Sequence, residues 1–174
     1  MIRVLMISNL RIMTKYDFES SVGFIVNAAA KTFQKALDSE LRKNVGVTIS
    51  QWRVVAILIL HTGLTQKEIA DKVGIEGATL VPVIDKMEKE GLLKRRPDSK
   101  DRRVNRIYIT PKADSLWNSM TECALRIRKV STRDISEGQI KTTLETLRKI
   151  SKNLVTHFDV GTLLVFQKKS KSRV

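Results

Sequence analysis

The chain is short of the residues that most catalytic chemistry requires. One residue in 174 is cysteine, Cys123, and two are histidine, His61 and His157, in well-separated segments. A lone cysteine forms no internal disulfide, which fits a reducing cytoplasm. Set among Met120, Ala124 and Ile127 on a helical pattern, Cys123 reads as a small buried hydrophobe before it reads as a sensor thiol. No glycine-rich phosphate loop and no metal-ligand spacing is present, so no catalytic residue, metal or cofactor is expected. Aromatics are scarce too. Two tyrosines and five phenylalanines form no stacking set of the kind that RNA recognition uses. No run of about 18 apolar residues exists to span a membrane. The last shortage is of acid: 18 Asp and Glu stand against 32 Lys and Arg, a formal net charge of +14. Such a balance calls for a polyanionic partner, nucleic acid ahead of an anionic membrane surface.

What the chain does have is concentrated between Leu64 and Ile109. Thr65 and Glu68 stand three apart as a capping box ahead of Ile69 and Val73, which predicts a short helix ending near Gly74. A second helix is predicted from about Ala78 to Glu90, with Leu80, Val83, Ile84 and Met87 on its core face and Gly91 at its end. Two short helices with a glycine-bearing turn between them make a helix-turn-helix. Leu92–Arg96 then reads as a strand, residues 97–101 as a turn, and Arg102–Ile109 as a returning strand. This hairpin is a basic wing. From Leu92 to Lys112 eight Lys or Arg face only Asp98 and Asp101, a balance of +6 (eight minus two). Basic charge on a lone hairpin often serves only to keep an edge strand soluble. Directly after a helix-turn-helix it points to nucleic acid.

Long amphipathic helices flank this centre. Val22, Ile25, Val26, Ala29, Phe33, Leu37 and Leu41 predict one helix over about 18–41. Thr48 and Gln51 form another capping box, and the segment that follows, Trp52–Leu60, is apolar nearly all round, as expected at a protomer's centre. Thr110-Pro111 starts a helix to about Arg133. Ser136–Gln139 caps the next, whose stripe runs Ile140, Leu144, Leu147, Ile150, Leu154, Phe158, close to a coiled-coil seam. Residues 1–12 lack an uninterrupted apolar core and a cleavage site, so they read as an N-terminal extension and not as a signal peptide. Residues 161–174 end in a basic tail suited to sequence-independent phosphate contacts.

The ordered set Thr65–Ala70, Gly74-Ile75-Glu76, Leu80-Val81, Asp85–Leu92, Asp101-Arg102-Arg103 and Ile109-Thr110 resembles the MarR/SlyA family of regulators. The resemblance implies a mainly α fold with a small β-hairpin wing, a winged helix-turn-helix held between N- and C-terminal dimerisation helices. Residues 13–45 would form the first dimerisation helix, 46–109 the DNA-binding lobe and 110–160 the remaining dimerisation helices. It implies a homodimer on a pseudo-palindromic DNA operator, acting as a ligand-responsive repressor. The second short helix would enter the major groove with Glu76, Gly77, Ala78, Thr79, Val81, Pro82 and Lys86 as candidate contacts. Pro82 departs from the family pattern, which commonly places a cation nearby, and a proline past the first turn deletes one helix hydrogen bond. On the wing, Asp101 would orient Arg103 toward a minor groove. Arg102 would share the groove or take phosphate, and Arg95, Arg96 and Lys100 would contact phosphates. By analogy Trp52, Arg53, His61 and Trp117 would line a pocket for a small anionic or aromatic effector. Their plainer readings are core for the tryptophans and a helix cap or surface for His61. A sequence-tolerant architectural protein is the competing function, since high net charge favours binding to any duplex.

Overall fold

The computed structural model describes residues 17–158; residues 1–16 and the basic tail from 159 onward lie outside the described residues. Among the described residues, six helices and three strands follow in order: α1 (Val22–Val45), α2 (Ile49–Leu60), β1 (Leu64–Thr65), α3 (Gln66–Val73), α4 (Gly77–Lys89), β2 (Leu93–Pro97), β3 (Asn105–Ile109), α5 (Pro111–Ser131) and α6 (Glu137–Phe158). The fold is the expected one, mainly helical with a small antiparallel sheet.

Capping chemistry fixes where the helices begin. Thr48 with Gln51 and Thr65 with Glu68 both form complete capping boxes at α2 and α3. At α6 the Ser136 hydroxyl accepts from the Gln139 N–H, and the Gln139 side chain accepts from the Ser136 N–H at 3.0 Å. The first helix departs from expectation by a full turn. It starts at Val22 instead of Phe18, because Ser21 caps the Phe24 N–H at 3.2 Å and Asp17 holds Ser20 in a preceding turn. It also runs on to Val45, where Gly46 takes a left-handed conformation, φ +75°.

The core is built around α2. Val54, Val55 and Leu58 from this helix meet Leu41 of α1, Ile69 of α3, Leu80, Ile84 and Met87 of α4, Ile107 of β3, and Met120 and Cys123 of α5, all essentially solvent-free. Burial pushes the Cys123 thiol up, despite the nearby Arg126 cation, so it is a packing residue. α1 packs along α5. By contrast, α6 buries none of its residues in the protomer and makes no extensive contact with another described element.

The sheet holds a strand the sequence reading missed. β1, two residues long, pairs antiparallel with β3, setting Leu64 opposite Ile107, while β2 pairs with the other edge of β3. The order is therefore β1-β3-β2, with the returning strand of the wing in the middle. Its sequence signal was a mere Leu-Thr pair that doubles as the start of a helix. Gly63, just before β1, has φ +72° and lies so near Tyr108 that a Cβ would come within 3.1 Å of the phenol oxygen. The turn into the helix-turn-helix thus needs glycine for both conformation and space.

The base of the wing is joined to α5. Thr110 begins α5 in extended conformation, but its hydroxyl does not cap that helix; it donates to the Gly91 carbonyl at 2.7 Å. The Thr110 N–H reaches the Leu92 carbonyl at 3.1 Å, and Lys112 Nζ donates to the Glu90 carbonyl at 2.8 Å. Orphan carbonyls at the end of α4 are satisfied from the start of α5.

Candidate nucleic-acid interface

The second helix of the pair, α4, presents a clear division of faces. Leu80, Ile84 and Met87 are wholly buried, whereas Glu76, Gly77, Ala78, Thr79, Val81, Pro82 and Lys86 are all exposed. The seven candidates therefore share an uncovered surface that begins at the helix N-terminus, with its partial positive charge. Gly74 at φ +73° supplies the left-handed end of α3 in the turn between the helices. Pro82 lies inside α4, as expected, without interrupting it.

Two carboxylates organise the wing. Asp98, 9% exposed, accepts the backbone N–H groups of Lys100 at 2.7 Å and Asp101 at 3.1 Å, and pairs with the Arg106 guanidinium. The Arg106 side chain, with the two backbone N–H groups, holds the Asp98 carboxyl down at about 2. Arg106 also donates to the Gly63 carbonyl at 2.8 Å, tying the wing to the turn before β1. These bonds explain why the returning strand is shorter than expected, while the first keeps its length and shifts by one residue. β2 runs 93–97 and β3 starts only at Asn105, since Asp98 gathers residues 98–104 into a loop and the Val104 N–H folds back on the Asp101 carbonyl. Neither Asp98 nor Arg106 was among the candidate site residues. Their signal was an Asp just after Pro97 at a turn, a position where aspartate accepts local N–H groups.

Asp101 does the second job. Its carboxylate accepts from Arg103 Nε at 3.2 Å, Nη2 at 3.3 Å and the Arg103 backbone N–H at 3.0 Å. The Arg103 side chain, then its backbone N–H, lowers the Asp101 carboxyl below its ordinary value. Even so, the Arg103 side chain remains 91% exposed. A guanidinium steered by a carboxylate yet open to solvent is available to an outside anion. Lys100 and Arg102 are exposed beside it, and Arg96 lies over the Tyr108 ring with its charge 5.5 Å from the centroid.

Arg95 takes a different position from the one expected of a phosphate contact. Its side chain turns inward, 24% exposed, to bond Asp85 at 2.5 Å and Glu88, both on α4. Its backbone N–H also donates to Glu88 at 2.9 Å. Arg95 thus brackets β2 against α4 and neutralises two of the acidic groups on that helix. Strand alternation places Arg95 and Arg96 on opposite faces, but the sequence alone does not show that Asp85 and Glu88 lie across from Arg95.

The four candidate effector residues belong to two helices, Trp52, Arg53 and the C-cap His61 to α2 and Trp117 to α5. Trp52 and Trp117 pack half-buried against the core, Arg53 is half-buried on α2, and His61 is an exposed C-cap. Trp52 Nε1 is buried without a hydrogen-bond partner. Among the described residues, two clefts of about 400 Å³ and 440 Å³ flank α4, one lined by Arg42, Ser50, Pro82 and Lys86, the other by Gln66, Asp71, Glu76 and Val81. Neither includes any of the four.

These features together define a winged helix-turn-helix protein, with an uncovered second helix and a basic wing. Comparison with known proteins gives its family. The MarR family profile matches residues 47–104. The chain is 30% identical to the crystal structure of transcriptional regulator PA3341, covering 79% of this chain and 100% of that one, with a TM-score of 0.69. It has the same fold as CouR of Rhodococcus jostii RHA1, a transcriptional repressor solved on a 23-mer DNA duplex (22% identity, 76% and 94% coverage, TM-score 0.69). It also has the fold of Bordetella bronchiseptica BpsR, whose DNA binding is regulated by 6-hydroxynicotinic acid (22% identity, 78% and 96% coverage, TM-score 0.70). The chain belongs to the MarR family of transcriptional regulators.

Proposed function

We propose that this protein is a cytoplasmic, homodimeric repressor that binds a pseudo-palindromic operator in double-stranded DNA and releases it in response to a small effector. The observation that carries the DNA-binding part is Arg103, held by Asp101 and yet 91% exposed, on a wing adjoining a helix whose outer face is uncovered. α4 would lie in the major groove and Arg103 in the adjacent minor groove, where a narrow groove concentrates negative potential. Arg96, Lys100 and Arg102 would take phosphates.

Dimerisation is supported by exposed apolar side chains at both ends of the described chain. Val22, Phe24, Ile25, Val26 and Phe33 on α1, with Leu144, Leu154 and Phe158 on α6, are exposed in the protomer. Residues 22–45 and 111–158 accordingly serve as dimerisation helices, and 46–109 as the DNA-binding lobe. An effector of the anionic or aromatic kind follows from the likeness to BpsR, with Trp52, Arg53, His61 and Trp117 as its candidate contacts. The net charge of +14 favours a second reading, sequence-tolerant architectural binding.

One experiment separates the two. The purified protein is titrated with its own upstream DNA and with a shuffled duplex of equal composition across a salt series. A preference of about 10³-fold or more supports a specific regulator. Equal binding to both with a steep salt slope supports the architectural protein.

A further inference from the structure

The outer face of α4 offers few side-chain hydrogen-bonding groups in its first turns. With Leu80, Ile84 and Met87 wholly buried and fixing the inward direction, a turn of 3.6 residues puts Ala78, Pro82, Asp85 and Lys89 within about 50° of the opposite direction. All four are exposed. Asp85 is engaged by Arg95 at 2.5 Å, and Lys89 lies at the far end of the helix. The first turns therefore offer a methyl group and a proline ring on their outermost face. Proline has no N–H, so the carbonyl of Ala78, four residues earlier, has no i+4 donor. The ring also crowds that carbonyl, whose residue lies on the same exposed face as the proline.

We propose that Pro82 determines specificity by freeing the Ala78 carbonyl to accept a hydrogen bond from an exocyclic amino group in the major groove. This rests on the reading of α4 as the helix that enters that groove. An acceptor there requires a base-edge donor, and only the N4 amino group of cytosine and the N6 amino group of adenine provide one. Guanine and thymine present acceptors at the matching edge and are rejected, because two acceptors face each other without a proton between them. Thr79 and Val81 flank the position on either side, so they read neighbouring bases and leave the central one to the backbone.

The test pairs a protein change with a base change. Wild type and Pro82→Ala are titrated against the protein's upstream site in which each cytosine is replaced in turn by 2-pyrimidinone, and each adenine by purine, both lacking the amino group. Wild type is expected to lose about 5- to 150-fold at one position per half-site, the scale of one good base contact. Which analogue produces the loss tells cytosine from adenine. Pro82→Ala regains the helix hydrogen bond, so it melts at a higher temperature than wild type and is indifferent to the same amino deletion. The proposal is overturned if Pro82→Ala loses as much as wild type at that position, or if wild type tolerates every amino deletion while still preferring its own site. A wild type that does not distinguish its own site from shuffled DNA overturns the regulator reading as well.

Discussion

Replacing Arg95 by methionine tests whether this arginine is a bracket or a phosphate contact. Methionine keeps the bulk and the backbone N–H bond to Glu88 at 2.9 Å, and removes only the guanidinium. One exposed ion pair is worth about 0.2 to 1 kcal/mol. Here a side chain 24% exposed serves two carboxylates that are 57% and 38% exposed, so screening is substantial on the acidic side and weak on the basic one. Asp85 and Glu88, three residues apart on α4, would also repel one another once the cation is gone. The sum is about 1 to 2 kcal/mol of stability at neutral pH, which lowers the melting temperature by about 2 to 8 °C for a chain of this length. DNA binding supplies the second readout. Each phosphate contact adds about 0.9 to the slope of log affinity against log salt. A bracketing Arg95 contributes nothing to that slope, so the variant binds more weakly with the slope intact. An unchanged melting temperature together with a slope shallower by about 0.9 would show that Arg95 swings out to the DNA backbone, and the bracket would have to be abandoned.

Arg103→Ala should weaken binding to the upstream site by about 1 to 3 kcal/mol at physiological salt, measured by fluorescence anisotropy; equal affinity refutes its groove contact. If the proposed dimer forms through α6, wild type should sediment as a dimer and a Leu144→Lys, Leu154→Lys double variant as a monomer at the same concentration; a monomeric wild type, or a variant that stays dimeric, refutes that interface. Asp98 gives an acid signature. Its carboxyl is lowered from 3.8 to about 2 in the folded protein, so its stabilising contribution is fully present above pH 3.8 and fades as the pH falls toward 2. Thermal melts between pH 6 and pH 2.5 should show a loss in wild type that Asp98→Asn lacks, and parallel curves would exclude the Asp98–Arg106 lock as its source.

Much of this architecture was legible in the residues because caps and stripes are local. Thr48, Thr65 and Ser136 announced their helices through a partner three residues on, and the buried face of α4 followed from the spacing of Leu80, Ile84 and Met87. The limits came where a distant partner decided the outcome. Leu64-Thr65 became a strand only because β3 passes beside it, and Arg95 turned inward only because Asp85 and Glu88 lie across the gap from β2. Arg106 looked like one more wing cation until Asp98 and the Gly63 carbonyl claimed it. Charge counts along the chain predicted a basic wing of +6, yet three of its eight cations, Arg95, Arg103 and Arg106, are paired with carboxylates before any ligand arrives.

The joint between Gly91 and Thr110 has a mechanical consequence. Three hydrogen bonds, from Thr110 Oγ1, the Thr110 N–H and Lys112 Nζ, fasten the first turn of α5 to the chain leaving α4. A helix of 21 residues such as α5 is about 30 Å long. With its near end clamped, it acts as a lever arm whose short side is the end of α4. A displacement of about 2 Å at the far end amounts to a tilt of about 4° at the joint. Because two of the three bonds come from the main chain and the short hydroxyl of Thr110, that tilt is carried to the end of α4.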